Sequence, residues 1–303
     1  MVMRGTCKRF LLQNPYQDSS AGWLKGNLHT HTAASDGKRP PQETVDDYAS
    51  RGYGFLMLSD HDHLTDPGEL KNRGMVLLPG NEISAQGEHI LHVGARRKIK
   101  PLADRQKVIA AIRRDDKKAL AIVCHPNWEE DFNHCPQEKL AAWQGYTGLE
   151  IYNGVIRRLP GSPLATDRWD MLLGSGRRLW GFANDDCHRP EDAGLAWNVV
   201  QCRTRTPEAV LAALAAGSFY ASTGVVIRTV AVRGGTLHVV APKAQRIAVV
   251  CDFGKRLAQV DAAELTFRLP EGAAFKYVRV ECFGMGESMA WTQPFYVRMN
   301  DEG

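Results

Sequence analysis

From residue 26 to about 220, short apolar runs alternate with segments of helical period, the pattern expected of repeated β–α units around a parallel sheet or barrel. The runs predict strands at Gly26–His31, Tyr53–Ser59, Met75–Ile83, Ile90–Gly94, Ala119–His125, Leu149–Asn153, Leu179–Asn184 and Trp197–Cys202. Helices are predicted at Pro41–Arg51, with Val45, Tyr48 and Ala49 on one face, at Asp104–Lys118, with Val108, Ala111 and Ile112 on one face, and at Pro207–Ala216, closed by Gly217. From about Val225 the period changes to two. Alternating strands are expected at Thr229–Val232, Leu237–Val240, Ile247–Cys251, Leu265–Leu269, Tyr277–Cys282 and Phe295–Arg298, separated by turns such as Gly234-Gly235 and Pro270-Glu271-Gly272. The chain therefore reads as an α/β domain over residues 1–224 and a small β-rich domain over residues 225–303.

Composition narrows the class without identifying it. Hydrophobic residues at 44% and charged residues at 24% exclude a disordered or fibrous chain. A net charge of +4 with no long basic run gives no dedicated nucleic-acid surface. The stretch Met1–Tyr16 carries Arg4, Lys8 and Arg9 but only the apolar patch Phe10–Leu12, too little for a signal peptide, and no run approaches a membrane span. A cytoplasmic protein without a membrane partner is expected. The seven scattered cysteines contain no Cys-x-x-Cys pair, which fits reduced thiols rather than a zinc ribbon or disulfide framework.

The chemistry lies in the histidines. Nine of the ten fall between residues 29 and 188, most beside a carboxylate at a predicted strand end: His29-x-His31, Asp60-His61, Glu82, His92, His125-Pro126 and Asp186-x-His188. One such histidine is ordinarily a satisfied core or surface group; the repetition across one domain is not. Residues i and i+2 of a strand share a face, so His29 and His31 reach one metal or metal pair, as do Asp186 and His188. In a parallel barrel, the loops after the strands converge on one end, which brings these residues together. Imidazole and carboxylate without thiolate suit Zn, Mn or Fe.

The run Asn27-Leu28-His29-Thr30-His31-Thr32-Ala33-Ala34-Ser35-Asp36-Gly37, with Ser59-Asp60-His61-Asp62, Pro79-Gly80-Asn81-Glu82-Ile83, His92-Val93-Gly94, His125-Pro126 and Asp186-Cys187-His188, resembles the PHP (polymerase and histidinol phosphatase) superfamily of metal-dependent hydrolases. The resemblance implies a distorted (β/α)7 barrel and a site of two or three divalent metal ions. It implies His29, His31, Asp36, His61, Glu82, His92, His125, Asp186 and His188 as the metal-site residues. Gly148-Leu149-Glu150-Ile151-Tyr152-Asn153-Gly154, Asp185-Asp186 and Phe219-Tyr220-Ala221-Ser222-Thr223-Gly224 are similar to the branch that includes carbamate-hydrolysing CehA/McbA-type enzymes. Asn184-Asp185 departs from the Gly-Ser usual there.

Around the expected ligands, His89 and His92 lie three apart and face opposite ways on a strand, and His92 is preferred. His63 is a proton-donor candidate. Glu150 is expected to orient a ligand or touch substrate, or else to serve as a capping or salt-bridging group. Arg157 and Arg189, with Lys38, Arg39 and Arg158, are available to clamp a phosphate oxygen. His134 and His238 read as structural or surface residues. The expected reaction is phosphoester hydrolysis of a small molecule by a hydroxide held between the metals. The alternatives are carbamate, ester or amide hydrolysis and, in another class, a non-catalytic metal-binding module.

Overall fold

The computed structural model describes residues 10–16, 21–272 and 274–299. Cys7 and the basic residues Arg4, Lys8 and Arg9 lie outside them. The first part of the chain contains strands β1 (Phe10–Gln13), β2 (Gly22–Asn27), β3 (Phe55–Met57), β4 (Val76–Leu78), β5 (Gly80–Ile83), β6 (Ile90–Val93), β7 (Leu120–Val123), β8 (Gly148–Asn153), β9 (Trp180–Asn184), β10 (Trp197–Cys202) and β11 (Phe219–Ser222). The tail adds β12 (Thr229–Arg233), β13 (Thr236–Val240), β14 (Arg246–Cys251), β15 (Lys255–Val260), β16 (Glu264–Arg268), β17 (Tyr277–Phe283), β18 (Met289–Thr292) and β19 (Phe295–Met299). The helices are α1 (Pro41–Ser50), α2 (Arg105–Asp115), α3 (Gln137–Ala142), α4 (Thr166–Gly174) and α5 (Pro207–Ala216). All described cysteines are free thiols. Among the described residues no helix is long and apolar enough to cross a membrane.

Two of the three predicted helices, α2 and α5, carry a side-chain cap at their start. The Asp104 side chain accepts from the Lys107 amide at the start of α2, and Thr206 does the same for Ala209 at the start of α5. Gly217 ends α5 with φ of 75°, a left-handed conformation that disfavours a Cβ. Helix α4, which the sequence reading did not include, buries Trp169, Leu172 and Leu173.

Two expectations are corrected. The single strand Met75–Ile83 is broken at Pro79, which has no amide to donate to a ladder. Its halves, β4 and β5, enter different sheets. The close approach after the break requires glycine, because a Cβ on Gly80 would lie 2.1 Å from the Met57 sulfur and 2.6 Å from the His92 carbonyl. Nor do the strands close into one parallel (β/α)7 ring. The fold is a strand-rich, mixed α/β arrangement of a sheet ordered β1-β19-β17-β18-β11-β10-β2-β3-β4, with β14 and β15 attached through β17, a second sheet β5-β6-β7-β8-β9, and a third, β12-β13-β16. Strands β2-β3-β4 and β7-β8-β9 run parallel, whereas β5-β6-β7 are antiparallel. Isolated bridges, Thr30 with Cys187 and His61 with Glu82, join the two large sheets where their strands end.

The position 224/225 falls after β11, and the first sheet continues past it, since β11 pairs with β18 and β1 with β19. One apolar cluster joins Tyr16, Val199 and Tyr220 to Leu237, Val249 and Phe295. Each large side chain so buried contributes roughly 1.5–3 kcal/mol. The Gln293 amide acts as a strand partner for the free edge of β9: its Nε2 donates to the Gly181 carbonyl at 2.7 Å and its Oε1 accepts from the Gly181 amide at 2.9 Å. Across the same interface, Arg279 on β17 makes a two-pronged pair with Asp170 on α4, at 2.8 and 2.6 Å.

Candidate metal centre

The strand ends on either side of the seam carry the site. β2 runs into His29 and His31, whose rings stand 5.2 Å apart. The loop after β3 supplies His61, β5 supplies Glu82, the loop after β7 supplies His125, and the loop after β9 supplies Asp186 and His188. His125 and Asp186 hold positive φ values of 25° and 54°, unfavourable conformations for residues with a Cβ that persist where surrounding bonds over-determine them. The Asp186 amide donates to the His29 carbonyl, and the His125 amide donates to Glu150 Oε2 at 2.9 Å.

Three carboxylates gather six imidazoles. Glu82 Oε1 lies 3.3 Å from His29 Nε2, 3.0 Å from His89 Nδ1 and 3.3 Å from His125 Nε2; its Oε2 lies 3.4 Å from His31 Nε2 and 2.9 Å from His61 Nδ1. Asp186 Oδ1 is 3.2 Å from both His29 Nε2 and His31 Nε2, and 3.5 Å from His188 Nδ1. Asp36 reaches His31, His61 and His188 at 3.6, 3.5 and 3.3 Å. Yet His29 Nε2, His31 Nε2, His61 Nδ1, Glu82 Oε2 and Asp186 Oδ1 are buried without a hydrogen-bond partner. They crowd a shared space instead of satisfying one another, a costly arrangement in a protein interior. The sets His29–His31–Asp186, His31–Asp36–His61–His188 and His61–Glu82–His89 each place their ligand atoms within 4.8 Å of one another. Donors about 2.0–2.2 Å from one ion stand up to about 4.4 Å apart, and the nitrogen–oxygen separations of 2.9–3.5 Å here lie inside that span, so the donor set fits divalent metal.

Charge in the centre is balanced internally. Burial alone would lower the His29 pKa, but Asp186, Glu150 and Glu82 hold it well above the ordinary imidazole value. Burial also opposes protonation of His61, yet the neighbouring Asp36 and Glu82 carboxylates raise its pKa to about 10. The Glu82 and Asp186 carboxyls are held well below the usual range against the effect of burial, the first chiefly by His89 and His29 and the second by His29 and His31. Metal entering the cluster must therefore displace protons.

Behind the cluster, Glu150 is completely buried and fully used. Its Oε1 accepts from Asn184 Nδ2 at 2.8 Å and stands 2.8 Å from His29 Nδ1; its Oε2 accepts from the His125 amide and Asn153 Nδ2. It thus orients a histidine and does not face the cavity, and such outer partners tune a metal site. Asp185 accepts five hydrogen bonds, from Asn27, Tyr48 and the amides of Gly194, Leu195 and Ala196, while burial pushes its carboxyl up to about 6. Asn184 and Asp185 therefore act as scaffold beneath the site.

Of the expected site residues, His29, His31, Asp36, His61, Glu82, His125, Asp186 and His188 are brought together. His92 is not. In the β5–β6 hairpin Glu82 stands opposite Leu91 and Asn81 opposite His92, so the face carrying Glu82 carries His89. His92 points the other way, 3.5 Å from Asp115, and burial lowers its pKa to about 4. The period-two rule separated the two histidines correctly, and the hairpin register decides which one joins the cluster. His63 is exposed and away from the cavity lining. Arg157 pairs outward with Glu287 at 2.8 Å, and Arg39 with Asp47 at 2.8 Å.

The cluster floors a cavity of about 390 Å³. Lys38, Arg158 and Arg189 stand at its rim, and Trp128, Val155, Ile156 and Leu159 form an apolar wall. Arg158 is neutralised by a two-pronged pair with Asp192, both contacts 2.8 Å. The sequence reading ranked His89 behind His92 and missed two contributors here: Trp128, and Asn153, whose Nδ2 donates to Asp186 Oδ2 at 3.1 Å.

Residues 176–219, which include Asp186 and His188, match the family described as PHP-associated. Among solved structures, the chain is similar to a two-domain protein from Bacteroides vulgatus described as containing a predicted PHP-like metal-dependent phosphoesterase, with 18% identity and a TM-score of 0.52 over 95% of this chain and 98% of that one. A putative metal-dependent phosphoesterase from Bifidobacterium adolescentis matches at 17% identity and a TM-score of 0.41, over 54% of this chain and 87% of that one. The first likeness supports a common fold over almost the whole of both chains. No curated protein gives a significant match.

Proposed function

We propose that this chain is a metal-dependent hydrolase of small molecules, with phosphoesters as its first substrate class and two or three divalent transition-metal ions (Mn, Zn or Fe) as cofactor. The observation that carries this reading is the convergence of buried, unpartnered imidazole and carboxylate atoms at the floor of an open cavity. Divalent metal bound there supplies Lewis acidity, acidifying water and offsetting charge on the electrophile. The protein's own groups do the rest. Glu150 fixes His29 and the His125 backbone, Asn153 fixes Asp186, and the apolar wall excludes water from one side of the substrate. Lys38 and Arg189 form no ion pair among the described residues and meet an incoming anion at the rim.

A second reading, hydrolysis of a neutral carbamate, ester or amide, is favoured by the apolar wall itself, since such a substrate needs no cationic clamp. The two separate on a panel of phosphomonoesters, phosphodiesters, aryl carbamates and aryl esters offered to metal-loaded protein. Under the first reading, Lys38→Met or Arg189→Met lowers phosphoester kcat/KM by about 10–100-fold, or about 1.5–3 kcal/mol, and leaves acyl substrates almost unchanged. Faster wild-type turnover of carbamates or esters, with phosphoester turnover indifferent to both substitutions, transfers the assignment to the second reading. Turnover of none, by protein holding its metal, favours a binding module.

A further inference from the structure

The loop from Pro126 to Cys135 closes on itself. The His134 amide donates to the Trp128 carbonyl at 3.1 Å and the Cys135 amide to the Pro126 carbonyl at 3.1 Å. His134 ends this loop, yet its side chain is only 8% exposed. The ring lies 4.8 Å from those of His89 and His125 and 5.0 Å from that of Trp128. Its two nitrogens have different work. Nε2 accepts the backbone N–H of His89 at 3.2 Å, so it carries a lone pair and no proton. Nδ1 then carries the ring proton and stands 2.8 Å from Glu129 Oε1, to which it donates.

This geometry points to His134 as a positioning residue that holds His89 at the metal centre. His89 immediately precedes β6; its carbonyl still accepts from the Cys124 amide at 3.0 Å, which leaves its own amide to be held by His134, and its imidazole must reach Glu82 Oε1 at 3.0 Å. The bond from its own backbone to His134 supplies a second constraint, and Glu129 fixes which way the His134 ring faces. The same ring backs Trp128, so a single side chain sets one metal-cluster histidine and one wall of the cavity. With Nε2 committed to the amide, His134 is not itself a ligand, although it lies near His89 and His125. The inference rests on the metal-centre reading and adds a residue outside the expected ligand set.

The test is titration of chelator-stripped protein with Zn²⁺ alone, read by chelator competition and elemental analysis. His134→Ala should weaken the ion nearest His89 by about 10–100-fold, as loss of an outer partner does elsewhere. His134→Gln, whose amide oxygen can accept from His89 and whose NH₂ can donate to Glu129, should recover most of that loss. Glu129→Ala removes a half-exposed side chain, is expected to fold even if His134→Ala does not, and should shift affinity the same way by less. Unchanged zinc affinity in His134→Ala or, should that variant not fold, in Glu129→Ala overturns the proposal. Equal losses in His134→Gln and His134→Ala also overturn it, by making the imidazole a ligand. A wild-type chain that takes up no metal overturns the metal-centre reading beneath it, a result distinguishable from the others because no variant is involved.

Discussion

Two regions of this molecule bury charge, and they treat it in opposite ways. Where α4 meets β17, Asp170, Arg279, Tyr277 and Glu281 form a closed set: Arg279 reaches both Asp170 oxygens and Glu281 Oε1, and the Tyr277 hydroxyl donates to Asp170 at 2.7 Å. The seam between the two large sheets is open by comparison. Its imidazoles and carboxylates also stand within ion-pair distance, yet at least five of their atoms lack a hydrogen-bond partner. Burial and perturbed ionisation are common to both regions and do not distinguish them. Unsatisfied valence does: a closed set serves the fold, and an open set demands something from outside.

The comparison breaks most visibly by substitution on each side. Glu82→Gln at the seam should reduce metal-dependent turnover by about 1000-fold or more, equivalent to about 4 kcal/mol, and reduce metal content while the melting temperature of metal-free protein changes little. Turnover of wild-type size at matched metal content would place the chemistry elsewhere. Arg279→Met should show the reverse, costing about 3–5 kcal/mol in denaturant unfolding because Asp170 is left buried and unpaired, with turnover per folded molecule preserved. Loss of activity in the folded fraction would tie the closed set to the site. The smallest effect concerns His92, a buried histidine belonging to neither set. The unfolded chain takes up this proton near pH 6.5 and the folded protein only near pH 4. Its contribution is therefore full above pH 6.5 and is lost as pH falls towards 4, about 3 kcal/mol in all. Unfolding free energies of metal-free His92→Gln should fall less steeply over that interval than those of the wild type, and parallel acid limbs would refute the assignment.

Much of this was legible in the sequence because it is local. Periodicity located the site-bearing strands and α2, Gly217 marked the end of α5, and the repeated His and Asp at strand ends marked the seam. What escaped depends on distant partners. Pro79 marks a break, but not that β4 and β5 part into different sheets. The choice between His89 and His92 depends on a register across the β5–β6 hairpin. The roles of Glu150, facing inward, and Gln293, capping β9 from the tail, follow only from the assembled fold. Arg157 reads as a clamp until Glu287, far along the chain, is seen beside it.

The pairing of β1 with β19 sets the order in which this protein can be made. Phe10 lies in register with Met299, so the edge of β1 stays uncovered until a strand far along the chain has emerged from the ribosome. The histidines and carboxylates of the seam have all emerged by residue 188, but the sheet of β2 and β3 lacks β17, β18 and β19 until those strands follow. Such long-range closure gives slow, late folding with an interval of exposed strand edge. During that interval chaperone capture competes with the final ladder.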